Sequence, residues 1–109
     1  MKVPAITRVV MVEYHPHATA AQIVTFKEGL HELAARATGL IRMSCGDHLE
    51  TGADAVLRQN APNVVFGSFM SIWEFSDRAS LDEFLVDPGH RRLAEGWRAV
   101  VKNRYVVNM

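Results

Sequence analysis

Five histidines and one cysteine are the residues of this 109-residue chain whose types suit acid–base, nucleophilic or metal chemistry. His90 follows Pro88-Gly89, so the spacing sets it at a helix N-terminus. The positive end of the helix dipole disfavours imidazolium there and keeps the ring able to accept a proton. That makes His90 the candidate general base, against the structural reading of a His that caps the helix or bonds a loop carbonyl. His15 and His17 form H-P-H, a spacing that can hold a metal, but no third ligand lies near and zinc needs three or four. No metal site is expected, and a solvated turn is. His48, near the end of a strand, is expected to face the interior beside Arg42 as a ligand-binding residue, and His31 to lie on a helix surface. Cys45 has no His close in sequence and reads as a buried, inert thiol. Trp73, Trp97, Phe66 and Phe69 could line an aromatic pocket. Their spacing favours core for Trp97 and leaves Trp73 open as a ligand contact.

The elements that must position these residues follow from periodicity. ITRVVMVEY over 6–14 reads as strand one, ended by Pro16. Thr19 to Gln22 forms a capping box, and Ile23, Phe26, Leu30, Leu33, Ala34 and Ala37 form one apolar stripe, predicting a helix to about Thr38 with Gly39 closing it. Residues 40–49 read as strand two, with Ile41, Met43 and Cys45 on one face. Residues 50–63 read as a long loop and residues 64–75 as strand three, in which Gly67 permits a bulge or a close approach. Ser80 to Glu83 suggests a second capping box and a short helix through Leu85, broken at Asp87-Pro88-Gly89. Helix resumes near His90, with Leu93, Trp97, Val100 and Val101 on one side, and residues 104–108 make the last strand. The order is β-α-β-β-α-β, an α+β ferredoxin-like single domain over 1–109 with a four-stranded antiparallel sheet and helices on one face.

Strands one and three are apolar on both alternating faces, although helices can cover only one. A second copy of the sheet is the simplest cover for the other face, so a homodimer is expected. Lys+Arg and Asp+Glu are both 12, which leaves no net charge to attract nucleic acid or an anionic membrane. No apolar run is long enough to span a bilayer, and the opening MKVPAITRVVMV reads as strand rather than leader. A cytoplasmic location is the default expectation. There is no Gly-rich phosphate loop, Walker pattern or nucleophile elbow, and no cofactor is expected.

Four segments carry a family likeness: ITRVVMVEY, GLIRMSCGDHL, SIWEFSDRASLDEFLVDPGH and the terminal YVVNM. Over about residues 6–109 the chain resembles the stress-responsive A/B barrel domain, Dabb, within the dimeric α+β barrel superfamily. Phe75, Ser76, Ser80, Leu81, Phe84, Pro88 and His90 in register are its most specific part. The resemblance implies a dimer whose two sheets face each other. Many members have no assigned reaction. Some resemble small polyketide cyclases, in which the Pro-x-His histidine acts as a base on a bound substrate, and other branches are monooxygenases or haem-handling enzymes. The cyclase-like members also place a His on strand one and a Tyr six residues before the motif His. The matching positions here are Arg8 and Phe84. Phe84 has no hydroxyl and becomes at most an apolar ligand contact, while Arg8 stays protonated and is suited to hold a carboxylate or enolate oxygen. Its structural alternative is an ion pair with Glu74. The functional expectation is a small barrel protein that binds or converts a small apolar or aromatic carbonyl compound in the barrel interior, with His90 as base. The alternative is a non-catalytic stress-response or ligand-binding dimer. A pocket of roughly 300 Å³ or more would favour the first and a filled interior the second.

Overall fold

The computed structural model describes residues 4–109, so the first three residues of the segment read as strand rather than leader lie outside the described residues. Four strands alternate with helices: β1 Ile6–Tyr14, α1 Ala20–Arg36, β2 Leu40–Asp47, α2 Gly52–Asn60, β3 Phe69–Phe75, α3 Arg78–Val86, α4 Pro88–Gly96 and β4 Val101–Asn108. The strands form one antiparallel sheet in the order β2-β3-β1-β4, a ferredoxin-like α+β fold. Strands β1 and β3 are central, as their two-faced apolar sequences require.

Alternation sorts the side chains. Val12, Phe69, Trp73 and Phe75 are buried beneath Phe26, Leu30 and Leu33 of α1 and Leu81 and Phe84 of α3. The opposite face carries Met11, Met70, Ile72, Tyr105 and Val107, and no helix is built to cover it. Thr19 caps α1 as its pattern predicts: its hydroxyl accepts from Gln22 N–H, and the Gln22 side chain accepts from Thr19 N–H. The helix stops at Arg36 with Ala37 as its cap, so Gly39 lies one residue further out than expected. Gly39 has φ +78°, and a Cβ there would meet the Ser80 hydroxyl at 2.1 Å.

Several expected boundaries move, each for a local reason. The segment 50–63 is not all loop. Thr51 and Asp54 form a reciprocal capping box that opens α2, a T-x-x-D version of the pattern with Asp in place of Glu or Gln. That helix buries no residue: its short apolar stripe, Ala53, Val56 and Leu57, is not part of the core. Strand β3 starts at Phe69 rather than Val64. Phe66 turns aside to pack on His48 and under Arg58, and Gly67 passes so close to Met11 that a Cβ would lie 2.4 Å from its Cγ. Helix α3 starts at Arg78, because Asp77 rather than Ser80 is the cap; its carboxylate accepts from Ser80 N–H at 2.7 Å. Asp87 caps α4 in the same way. A short 3-10 turn, Trp97–Ala99, then delivers the chain to β4 three residues earlier than expected. In β2 a register shift between Leu40 and Arg42 drops Ile41 out of the alternation, and Leu40 joins Met43 and Cys45 on the helix side. Cys45 is exposed rather than buried, since it lies on an edge strand.

Candidate functional site

The site grows from β1. Arg8 lies opposite Trp73 of β3 on one side and Asn108 of β4 on the other. All three belong to the face that the helices cover. Helix α3 contributes Phe84 and the start of α4 contributes His90. The break between the two helices at Asp87-Pro88 turns the chain so that His90 packs on Phe84, ring centroids 4.7 Å apart, with Trp97 edge-on at 6.1 Å. Trp73 stacks on the other part of Phe84 at 5.1 Å. Four of the five residues expected from the sequence, His90, Arg8, Trp73 and Phe84, therefore converge.

They converge around a small, partly open cavity of about 40 Å³ between the sheet and the helices. Its mouth opens into a surface groove of about 510 Å³, and Arg8, His90, Trp97 and Arg104 line both. Every one of these side chains lies on the face of the sheet that the helices cover. The size criterion divides. The cavity is nearly filled, with room for a few waters, and the groove lies within the ligand-pocket range of roughly 300–1,000 Å³.

The electrostatics are unusual. His90 is half-buried, and its pKa is lowered from the ordinary 6.5 by desolvation first, then by the charges of Arg8 and Arg104. Asp87 and a hydrogen bond to the Leu85 backbone carbonyl pull the other way without prevailing. Burial and the neighbouring guanidinium groups thus favour the uncharged imidazole. Arg8 has its own pKa lowered by desolvation and by Arg104, yet an arginine stays charged. Its Nη1 donates to Asn108 Oδ1 at 3.2 Å. The expected pairing with Glu74 does not form: Glu74 points to the open face, where Arg42 takes it at 3.0 Å. Ser71, buried at the cavity wall, accepts from Trp73 Nε1 at 2.9 Å and holds the indole in place.

His48 lies elsewhere. It bonds Glu50 at 3.0 Å and sits 3.6 Å from Asp54 at the start of α2, rather than beside Arg42. The ligand-type atoms of these three residues fall within 4.8 Å of one another. Glu50 is also taken by Arg58, and Asp54 accepts from Thr51 N–H, so the group reads as a satisfied ion-pair cluster. His15 and His17 stack at 4.7 Å in their turn. The two tryptophans exchange roles: Trp73 is core and cavity wall at 3 % exposure, while Trp97 is only partly buried and lines the mouth. Arg104 and Ser71 were missed. The alternation Arg104, Val106, Asn108 was visible as a pattern, but only the register Val12 to Arg104 tells which face it takes.

No helix among the described residues is long and apolar enough to cross a membrane. No curated protein matches the sequence. Solved structures do match. A hydroxynitrile lyase from Passiflora edulis is 18% identical with a TM-score of 0.76, covering 98% of this chain and 94% of that one. A dimeric ferredoxin-like protein of unknown function from a Jannaschia species is 22% identical with a TM-score of 0.71, covering 95% and 96%. The cofactor-independent oxygenase SnoaB from Streptomyces nogalater is 18% identical with a TM-score of 0.69, covering 95% and 89%. At these identities the likeness is one of fold. The family model for the stress responsive A/B barrel domain matches residues 6–109, nearly the whole sequence, and the chain belongs to that family.

Proposed function

We propose that the protein binds a small apolar or aromatic carbonyl compound at the mouth of the cavity under its helices and removes a proton next to the carbonyl, with His90 as general base. The observation that carries this reading is the half-buried His90 imidazole packed on Phe84 at the same cavity as Arg8, its pKa lowered by desolvation and by the Arg8 and Arg104 charges. The free ring nitrogen takes the α-proton, the C–H electron pair moves into the carbonyl, and the enolate oxygen is held by Arg8 through a charge-assisted bond. The proton then returns from the imidazolium to carbon. Nothing in the step needs a metal or redox partner. The lyase from Passiflora edulis and the oxygenase from Streptomyces nogalater are enzymes on the same fold, and the latter is described as cofactor-independent.

The protein works as a homodimer in this reading. The open apolar face supports that assembly, and so does the dimeric description of the Jannaschia protein. A non-catalytic ligand-binding dimer is the second reading. It is favoured by the small cavity volume and by Phe84, which supplies no hydroxyl. Deuterium uptake from D2O into phenylacetone, followed by proton NMR, separates the two. The base reading expects uptake above the buffer rate that falls by about a hundred- to ten-thousand-fold in His90→Gln, with the variant still folded. Uptake equal in the two proteins removes His90 as a base.

A further inference from the structure

The chain carries no net charge, with 12 basic and 12 acidic residues, but its charges are not evenly spread. Arg8, Arg91, Arg98, Lys102 and Arg104 all line the 510 Å³ groove, with Glu95 the one acidic residue on its wall. Outside the groove, Lys27 pairs with Asp47, Arg36 with Asp87, Arg42 with Glu74 and Arg58 with Glu50, while Arg78 and Arg92, which form no ion pair among the described residues, do not share a pocket with each other. None of the five groove cations forms an ion pair among the described residues. They come from different elements: Arg8 from β1, Arg91 from α4, Arg98 from the 3-10 turn, Lys102 and Arg104 from the edge strand β4. A solvated helix face does not gather charge that way. Trp97, Leu85, Ala94 and Val101 give the same groove an apolar floor, and His90 stands at its inner end.

Resting on the pocket reading above, we infer that the groove binds the phosphate or diphosphate end of an organic ligand, whose apolar end reaches the cavity beside His90. A lone carboxylate carries one charge and leaves most of the cluster unmatched. A phosphate ester carries about −1.5 to −2 at neutral pH and three acceptor oxygens, which suits several guanidinium forks at once. A groove of about 510 Å³ has room for it. A phosphate bound there also offsets Arg8 and Arg104, the two charges that lower the His90 pKa, so binding moves the His90 titration upward.

The test is calorimetric titration of the dimer with 1-naphthyl phosphate, 1-naphthol and inorganic phosphate. The expected result is naphthyl phosphate bound at least about tenfold more tightly than either of the others, weakening as salt rises. The Arg91→Ala, Arg98→Ala double variant, at two residues that line the groove but not the cavity, loses about tenfold toward naphthyl phosphate and nothing toward naphthol. Arg92→Ala, which lies outside this groove, changes neither. Equal affinity for naphthyl phosphate and naphthol overturns the anion site while leaving the pocket reading intact. Failure of both to bind overturns the two together. Inorganic phosphate bound as tightly as naphthyl phosphate overturns the organic end. A DNA or RNA oligonucleotide bound more tightly than naphthyl phosphate overturns the small-molecule assignment.

Discussion

The two faces of the sheet are made by alternate residues of the same four strands, and they differ in what they leave unsatisfied. The open face is apolar at its centre, with Met70, Tyr105 and Val107 40–55% exposed. Its polar groups are already paired at the rim, Arg42 with Glu74 and Asn103 with Glu13. The covered face has a closed aromatic core, but at the β4 edge Arg8 and Arg104 form no ion pair among the described residues and lie close enough to His90 to lower its pKa. An apolar patch with satisfied edges suits a second protein surface. Unmatched cations beside an anchored base suit a ligand with a negative charge, whether resident or developing in a transition state. On the proposed reading the same strands separate assembly from chemistry by parity, and a change on one face should leave the other's task in place.

The largest expected effect is on the covered core. Phe75 is fully buried against Phe84, and Phe75→Ala should cost about 3–5 kcal/mol in urea unfolding, enough to leave little folded protein. Next comes the open face. Ile72 lies at its centre opposite Val9, so Ile72→Lys should move the light-scattering mass from two chains toward one and leave naphthyl phosphate affinity within a few-fold. If mass and affinity fall together, the separation of faces fails. Smaller is Gly39→Ala, which forces a side chain into the left-handed region for roughly 1–2 kcal/mol from the backbone, plus displacement of Ser80. A thermal midpoint equal to the parent's would show that the α1–β2 turn is not held as described. The smallest effect is pH-dependent. The folded His90 pKa lies below its unfolded value of 6.5, so protonation favours the unfolded chain. The parent should lose stability relative to His90→Gln as pH falls below about 6.5 and show no change in that difference above it.

Much of the fold was legible because hydrophobic periodicity and turn chemistry act locally. Strand β1 and helix α1 follow directly from ITRVVMVEY and the Thr19 box. Helix α2 was missed although Ala53, Val56 and Leu57 recur at helical spacing, because the stripe is only three residues long, lies among turn-type residues and is buried against nothing. In the site, His90 was found from Pro88-Gly89 and Arg8 and Phe84 from family resemblance. Arg104 was out of reach, since its role depends on which face of β4 meets α4, a matter of register between segments almost a hundred residues apart. Which face of the sheet carries these residues was out of reach for the same reason. Alternation divides a strand into two faces but does not say which one the helices take. His48 failed for a nearer reason: strand β2 ends at Asp47, and beyond it the chain belongs to the α2 turn, whose acids capture the imidazole.

The most direct test of the central claim is the imidazole titration of His90, followed by NMR and assigned by its disappearance in His90→Gln. The account predicts a midpoint below 6.5 in the free protein, because burial, Arg8 and Arg104 outweigh Asp87 and the Leu85 carbonyl. A midpoint at or above 6.5 would mean that the ring is solvated or paired with an acid, and would contradict a neutral base held among unmatched cations.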